Sequence, residues 1–82
     1  MPRRLKLSPL QRDIMMTLEE AGAETIGTVM ATINPSDQDT FARDVRGLIE
    51  LGLIRRMETE DAIGTPRIDL ILTELGKKAL TE

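Results

Sequence analysis

The sequence predicts a small α+β fold, mainly helical: a three-helix core, a two-stranded hairpin and a short closing helix. Three observations predict it. Apolar residues recur at helical spacing in successive runs between Leu10 and Leu51. Each run ends at a cap or a breaker. After Gly52 the pattern changes to alternation, with Ile68, Leu70 and Leu72 set against Asp69, Ile71 and Thr73. The 82 residues suffice for one domain with a modest core.

The first helix is expected over Pro9 to Ala21. Ser8 can cap its free N–H groups, and Pro9 fits the first turn. Leu10, Ile14, Met15 and Leu18 form its inner stripe, and Gly22 stops it. Met16 lies off that stripe. Ala23 to Thr25 reads as a short extended piece. A second helix then places Ile26, Val29, Met30 and Ile33 on one face. It stops at Asn34, because a residue before proline is pushed out of the helical region. Ser36 or Asp37 caps a third helix running to about Leu51. Its inner stripe is Phe41, Val45, Leu48 and either Ile49 or Leu51, and Gly52 ends it. "LIRRM" begins one strand and "RIDLILT" is the next, with the hairpin turn near Gly64-Thr65-Pro66. Thr73 caps the last helix, Glu74 to about Leu80, with Leu75, Ala79 and Leu80 inward. Residues 1–7 are expected to form a flexible basic arm ahead of a domain over 8–82.

Composition narrows the function. There is no Cys for disulfide, thiol or thiolate-metal chemistry, and no His to act as base or ligand. No apolar run approaches the roughly 18 residues of a membrane span, and a cytoplasmic, soluble protein is expected. Catalysis lacks its usual groups. Glu58, Glu60 and Asp61 fall on an open loop, where a cation site would be weak. No cofactor, metal site or catalytic residue is expected, and no enzyme. The net charge of −3 is unevenly spread. Residues 1–12 carry Arg3, Arg4, Lys6 and Arg12 with no acid. Residues 57–69 carry Glu58, Glu60, Asp61 and Asp69 against Arg67 alone.

Two helices joined by a short Pro-containing turn and followed by a hairpin give the plan of a winged helix-turn-helix. "TFARDVRGLIELGLIRR" followed by "LILTELGKKAL" resembles the DNA-binding half of the MarR-type transcriptional regulators. The matching positions are Leu48, Gly52, Leu53, Ile54 and Arg56, then Leu72, Thr73 and Gly76, within a resemblance over about residues 8–80. It implies a DNA-binding transcriptional regulator. Regulators of that type are longer, with flanking helices that dimerise and enclose a ligand cleft. They usually carry a basic wing, where this loop is acidic.

The resemblance makes the third helix the element that enters the major groove of double-stranded DNA. With Phe41, Val45 and Leu48 inward, the outward set is Gln38, Asp39, Ala42, Arg43, Arg46 and Gly47. Arg suits guanine and Gln suits adenine through paired hydrogen bonds, while Ala42 leaves room for a thymine methyl. Thr40 can offer its hydroxyl to a phosphate. Equally, Arg43 can pair with Asp39, and Arg46 with Glu50, on a plain solvated face. Arg55 and Arg56 lead into the wing. Arg67 stands at the hairpin base, free for the backbone or paired with Glu58 or Glu60. Arg3 and Arg4 can add phosphate contacts or belong to a solvated tail. The acidic wing has three readings: it keeps indiscriminate DNA away, it docks a protein partner through Glu58, Glu60 and Asp61, or it meets the basic arm of another copy in a homodimer.

Overall fold

A computed structural model describes residues 6–81. The order is α1 (Pro9–Ala21), β1 (Ala23–Thr25), α2 (Ile26–Ile33), α3 (Gln38–Glu50), β2 (Ile54–Glu60), β3 (Pro66–Leu72) and α4 (Glu74–Thr81). Helix α1 opens with reciprocal capping. The Gln11 amide donates to Ser8 Oγ at 3.0 Å, and the Ser8 amide donates to Gln11 Oε1 at 3.0 Å. Asn34 ends α2 in the left-handed region at φ 54°, and Asp37, not Ser36, caps α3.

The hairpin is part of a three-stranded antiparallel sheet in the order β1-β3-β2. The short extended piece Ala23–Thr25 pairs along Ile71 to Asp69, so the wing grows out of a sheet rather than standing as an isolated ribbon. On the other side of β3, Ile54 faces Leu72 and Glu60 faces Pro66, with the pairs between in unbroken register. Proline is tolerated at Pro66 because it opens the strand.

Ile14, Met15, Leu18, Val29, Phe41, Val45, Leu48, Leu53, Ile54, Leu70 and Leu72 form one continuous core, with Phe41 at 1% exposure. The lone aromatic ring is therefore packing and not a base-stacking platform. Three expected inward residues are exposed instead. Ile26 sits at the first position of α2, beyond the reach of the core. Leu51 lies past the end of α3, and Ile49 takes the partly buried place. Leu75 is half-exposed because the inward position on that turn belongs to Gly76.

Gly76 explains the Leu-Thr-x-x-Gly pattern. Thr73 donates its hydroxyl to the Gly52 carbonyl at 2.6 Å and accepts from the Gly76 amide at 3.0 Å. Its own amide donates to the Leu53 carbonyl at 3.0 Å. The start of α4 is thereby pinned to the turn after α3. A Cβ on Gly76 would lie only 2.1 Å from the Leu53 carbonyl oxygen, so the two backbones meet where no side chain fits.

Candidate nucleic-acid interface

Helices α2 and α3, joined across Asn34 to Asp37, form the helix-turn-helix, and the turn fixes how α3 is presented. Asp37 Oδ1 accepts from the Asp39 amide at 3.0 Å, and Asp37 Oδ2 accepts the Thr40 hydroxyl at 2.7 Å. These bonds hold the Asp37 carboxyl below its ordinary value, the Thr40 hydroxyl most, then the Asp39 amide, with a smaller pull from Arg43. The Thr40 proton is thus spent on the cap. In the free chain Thr40 serves the start of α3.

Further along, α3 turns Phe41, Val45 and Leu48 inward and leaves Gln38, Asp39, Ala42, Arg43 and Arg46 exposed. Gly47, expected on that outer face, is half-buried against α1. A Cβ there would stand 3.1 Å from Gln11 Nε2. The same seam holds a bond from Ser8 Oγ to Asp44 Oδ2 at 2.9 Å, and one from Gln11 Nε2 to the Asp44 carbonyl at 3.4 Å. Asp44 therefore braces α3 against α1, a long-range contact that helical periodicity gives no means of reading.

The ion pairs that spacing permits along α3, Arg43 with Asp39 and Arg46 with Glu50, do not form. Among the described residues, the pairs within 4.0 Å are Arg67–Asp69 and Lys77–Glu74. Arg43 and Arg46 present their guanidinium groups to solvent without a carboxylate at that distance. Arg55 and Arg56 are exposed in the same way at the start of β2, on opposite faces of the strand.

Arg67 is different. Its partner is neither Glu58 nor Glu60 but Asp69, two residues along the same strand and so on the same face. Arg67 Nε and Nη2 both approach Asp69 Oδ1, at 3.0 and 2.9 Å. Asp69 is buried in the central strand between Met57 and Thr25, while Arg67 remains about two-fifths exposed. Strand alternation puts Arg67 and Asp69 on one face, whereas the residue directly opposite Arg67 on β2 is Thr59, with Glu58 facing Ile68 and Glu60 facing Pro66. At the tip, Asp61 builds the turn. Its Oδ1 accepts from the Ile63 amide at 3.0 Å and the Thr65 amide at 2.9 Å, and its carbonyl accepts from Gly64 at 3.0 Å. The turn is therefore centred on Asp61 to Thr65, with Asp at its first place and Gly at its fourth. Glu58 and Glu60 stay exposed, beside half-exposed Ile68 and a fully displayed Ile63. Among the described residues no three carboxylates gather into a cation site, and no helix is long and apolar enough to cross a membrane. Arg3 and Arg4 lie outside the described residues.

A helix-turn-helix followed by a sheet-rooted hairpin, with arginines on the exposed face of α3, defines a winged helix-turn-helix domain. Its fold is the winged helix found in solved structures of MarR-family regulators. A MarR family transcriptional regulator from Silicibacter pomeroyi superposes with a TM-score of 0.72 at 30% identity, over 89% of this chain and 47% of that one. ZitR, a zinc-responsive MarR family member from Lactococcus lactis, gives a TM-score of 0.76 at 22% identity, over 98% and 53%. The adhesin competence repressor AdcR from Streptococcus pyogenes gives 0.73 at 22% identity, over 93% and 54%. The chain thus spans about half the length of the solved structures it matches. No protein-family model matches it, and no curated protein does.

Proposed function

We propose that this chain is the DNA-reading module of a transcriptional regulator and that α3 reads the major groove. The observation that carries the reading is the outer face of α3, where Arg43 and Arg46 have no described carboxylate within 4.0 Å. Arginines one turn apart, with a glutamine and an alanine beside them, suit hydrogen bonding to base edges. Side chains already paired on the helix would first have to be released. The fold supports the same reading, since the solved neighbours are described as regulators. Arg55 and Arg56, exposed at the start of β2, are assigned to phosphate contacts in this reading, and Arg3 and Arg4 add positive charge at the amino end of the sequence. Arg67 contributes less, because Asp69 already neutralises it.

The test is fluorescence anisotropy with selected duplex DNA at two salt concentrations. Arg43→Ala and Arg46→Ala are each expected to weaken binding by about 1–3 kcal/mol and relax base preference, with circular dichroism unchanged. Variants that bind like the parent would remove α3 as the reading element. A second reading has its own support: Glu58 and Glu60 flank exposed Ile68, and Ile63 stands at the tip. An acidic wing with apolar side chains suits a protein partner. Charge reversal at Glu58 and Glu60 would abolish that partner and spare DNA binding, whereas Asp61 is unsuitable for such a test because it builds the turn.

A further inference from the structure

We infer that the outer edge of β2 is a self-association surface, at which two copies of this chain pair antiparallel about Met57. Strand β2 is the edge of the sheet, because the order is β1-β3-β2. Among the described residues, Arg55 to Glu60 take no backbone hydrogen bond beyond those to β3, so one side of this backbone is unpaired. Edges of this kind are usually blunted by charged side chains, proline, a bulge or shortness. Here the strand is seven residues long and "IRRMETE" contains no Pro, and its charges, Arg55, Arg56, Glu58 and Glu60, are of both signs, so they repel or attract a second copy according to register. Its register with β3 is unbroken.

The charges on this strand select a partner and a register. A two-fold axis normal to the sheet keeps each face beside its own kind, so residue i meets a residue of the same face in the second copy. Centred on Met57, the pairing sets Arg56 opposite Glu58 of the second copy, and Glu58 opposite Arg56 of the second copy. Arg55 meets Thr59, and the two Met57 side chains meet at the axis. Both charged pairs are attractive, and the centre is apolar. Among registers centred on Arg55 to Thr59, this is the one that sets no like charges opposite each other. Centring on Arg55 or Arg56 opposes like charges at the axis, centring on Glu58 opposes two Glu58 carboxylates there although Arg56 then meets Glu60, and centring on Thr59 sets Glu58 against Glu60. Directly opposed like charges on adjacent strands destabilise, and opposed unlike charges stabilise. The sequence of one strand therefore complements itself in one register. Arg56 and Glu58 are both exposed and free of intrachain ion pairs within 4.0 Å among the described residues, so neither must first be released. The contact is small, which makes the association weak and salt-sensitive.

The experiment is sedimentation equilibrium of the full chain from micromolar to millimolar concentration, with amide hydrogen exchange of β2 in parallel. The parent is expected to dimerise at the upper end and to gain protection at alternate amides of Arg55 to Thr59. Arg56→Glu and Glu58→Arg, each opposing like charges twice per dimer, are each expected to weaken association roughly tenfold. The combined Arg56→Glu/Glu58→Arg variant restores the complementary pairs and is expected to recover it. Both side chains are exposed, and circular dichroism checks the fold of each variant. A parent that stays monomeric at millimolar concentration overturns the inference. So do single reversals that associate like the parent, or a double variant that fails to recover. None of these readouts depends on DNA, so a failed DNA-binding reading leaves the outcome interpretable.

Discussion

Gly76 and Arg67 show how single residues set the wing's mounting. The 2.1 Å approach that a Cβ on Gly76 would make to the Leu53 carbonyl cannot be relieved by a rotamer, because both sides are backbone. Gly76→Ala is expected to push α4 off the turn after α3 and cost about 1–3 kcal/mol, read by urea denaturation. The loss should exceed any gain from alanine's better helix propensity, which is at most ~1 kcal/mol. Arg67 acts through its charge. Removing it leaves Asp69 buried with its cation gone, and a carboxylate in that position costs more than the exposed pair would earn. Arg67→Ala is expected to lower stability by about 1–3 kcal/mol, while Arg67→Ala/Asp69→Asn recovers part of the loss. Recovery in the double variant, measured by denaturation, separates this account from a simple loss of side-chain packing.

At the scale of the element, the start of α3 ties stability to pH. The Asp37 carboxyl lies below its ordinary value of 3.8, held there by the Thr40 hydroxyl first and the Asp39 amide second. A carboxyl with a depressed value in the folded chain stabilises the fold above its unfolded value. That contribution disappears as pH falls through the lower folded value. Asp37→Asn keeps a capping oxygen and does not titrate. The parent is expected to melt above this variant at neutral pH, and the gap to close below pH ~3.8. Parallel melting curves at every pH would contradict this role. These elements also show what a sequence yields. The caps Ser8, Asp37 and Thr73, the stop at Asn34 and the stripe through Phe41 are local, so spacing and residue type expose them. Ala23 to Thr25 became a sheet strand through pairing with residues nearly fifty positions away, which no local pattern records. The exposed arginines of α3 were legible as a face. Their freedom from Asp39 and Glu50 was not, because spacing permits an ion pair without requiring it. Arg67–Asp69 was legible in principle from strand alternation, and Asp61 from its Asp-x-x-Gly turn.

For the molecule as a whole, the DNA-reading proposal must reconcile a net charge of −3 with a polyanionic partner. The reconciliation lies in distribution: exposed Arg43 and Arg46 lie on α3 and exposed Arg55 and Arg56 at the root of the wing, while Glu58 and Glu60 lie further out along it. At physiological salt, charges interact over about 8 Å. The wing acids therefore matter to DNA only if the wing itself approaches the backbone. Glu60→Lys tests that directly, because Glu60 is exposed at the end of β2, opposite Pro66, and braces no turn. On the DNA-reading proposal, the substitution replaces a repulsion with an attraction. Affinity for mixed-sequence DNA is then expected to rise at low salt. The slope of log K against log salt should steepen by up to about 0.9, the value of one added phosphate contact. Affinity for a selected site should rise less, because the gain is independent of sequence, and discrimination should fall. That pattern would identify the acidic wing as the feature that keeps this small module from binding DNA indiscriminately. An unchanged slope would instead place the wing away from the duplex and leave its acids available to a protein.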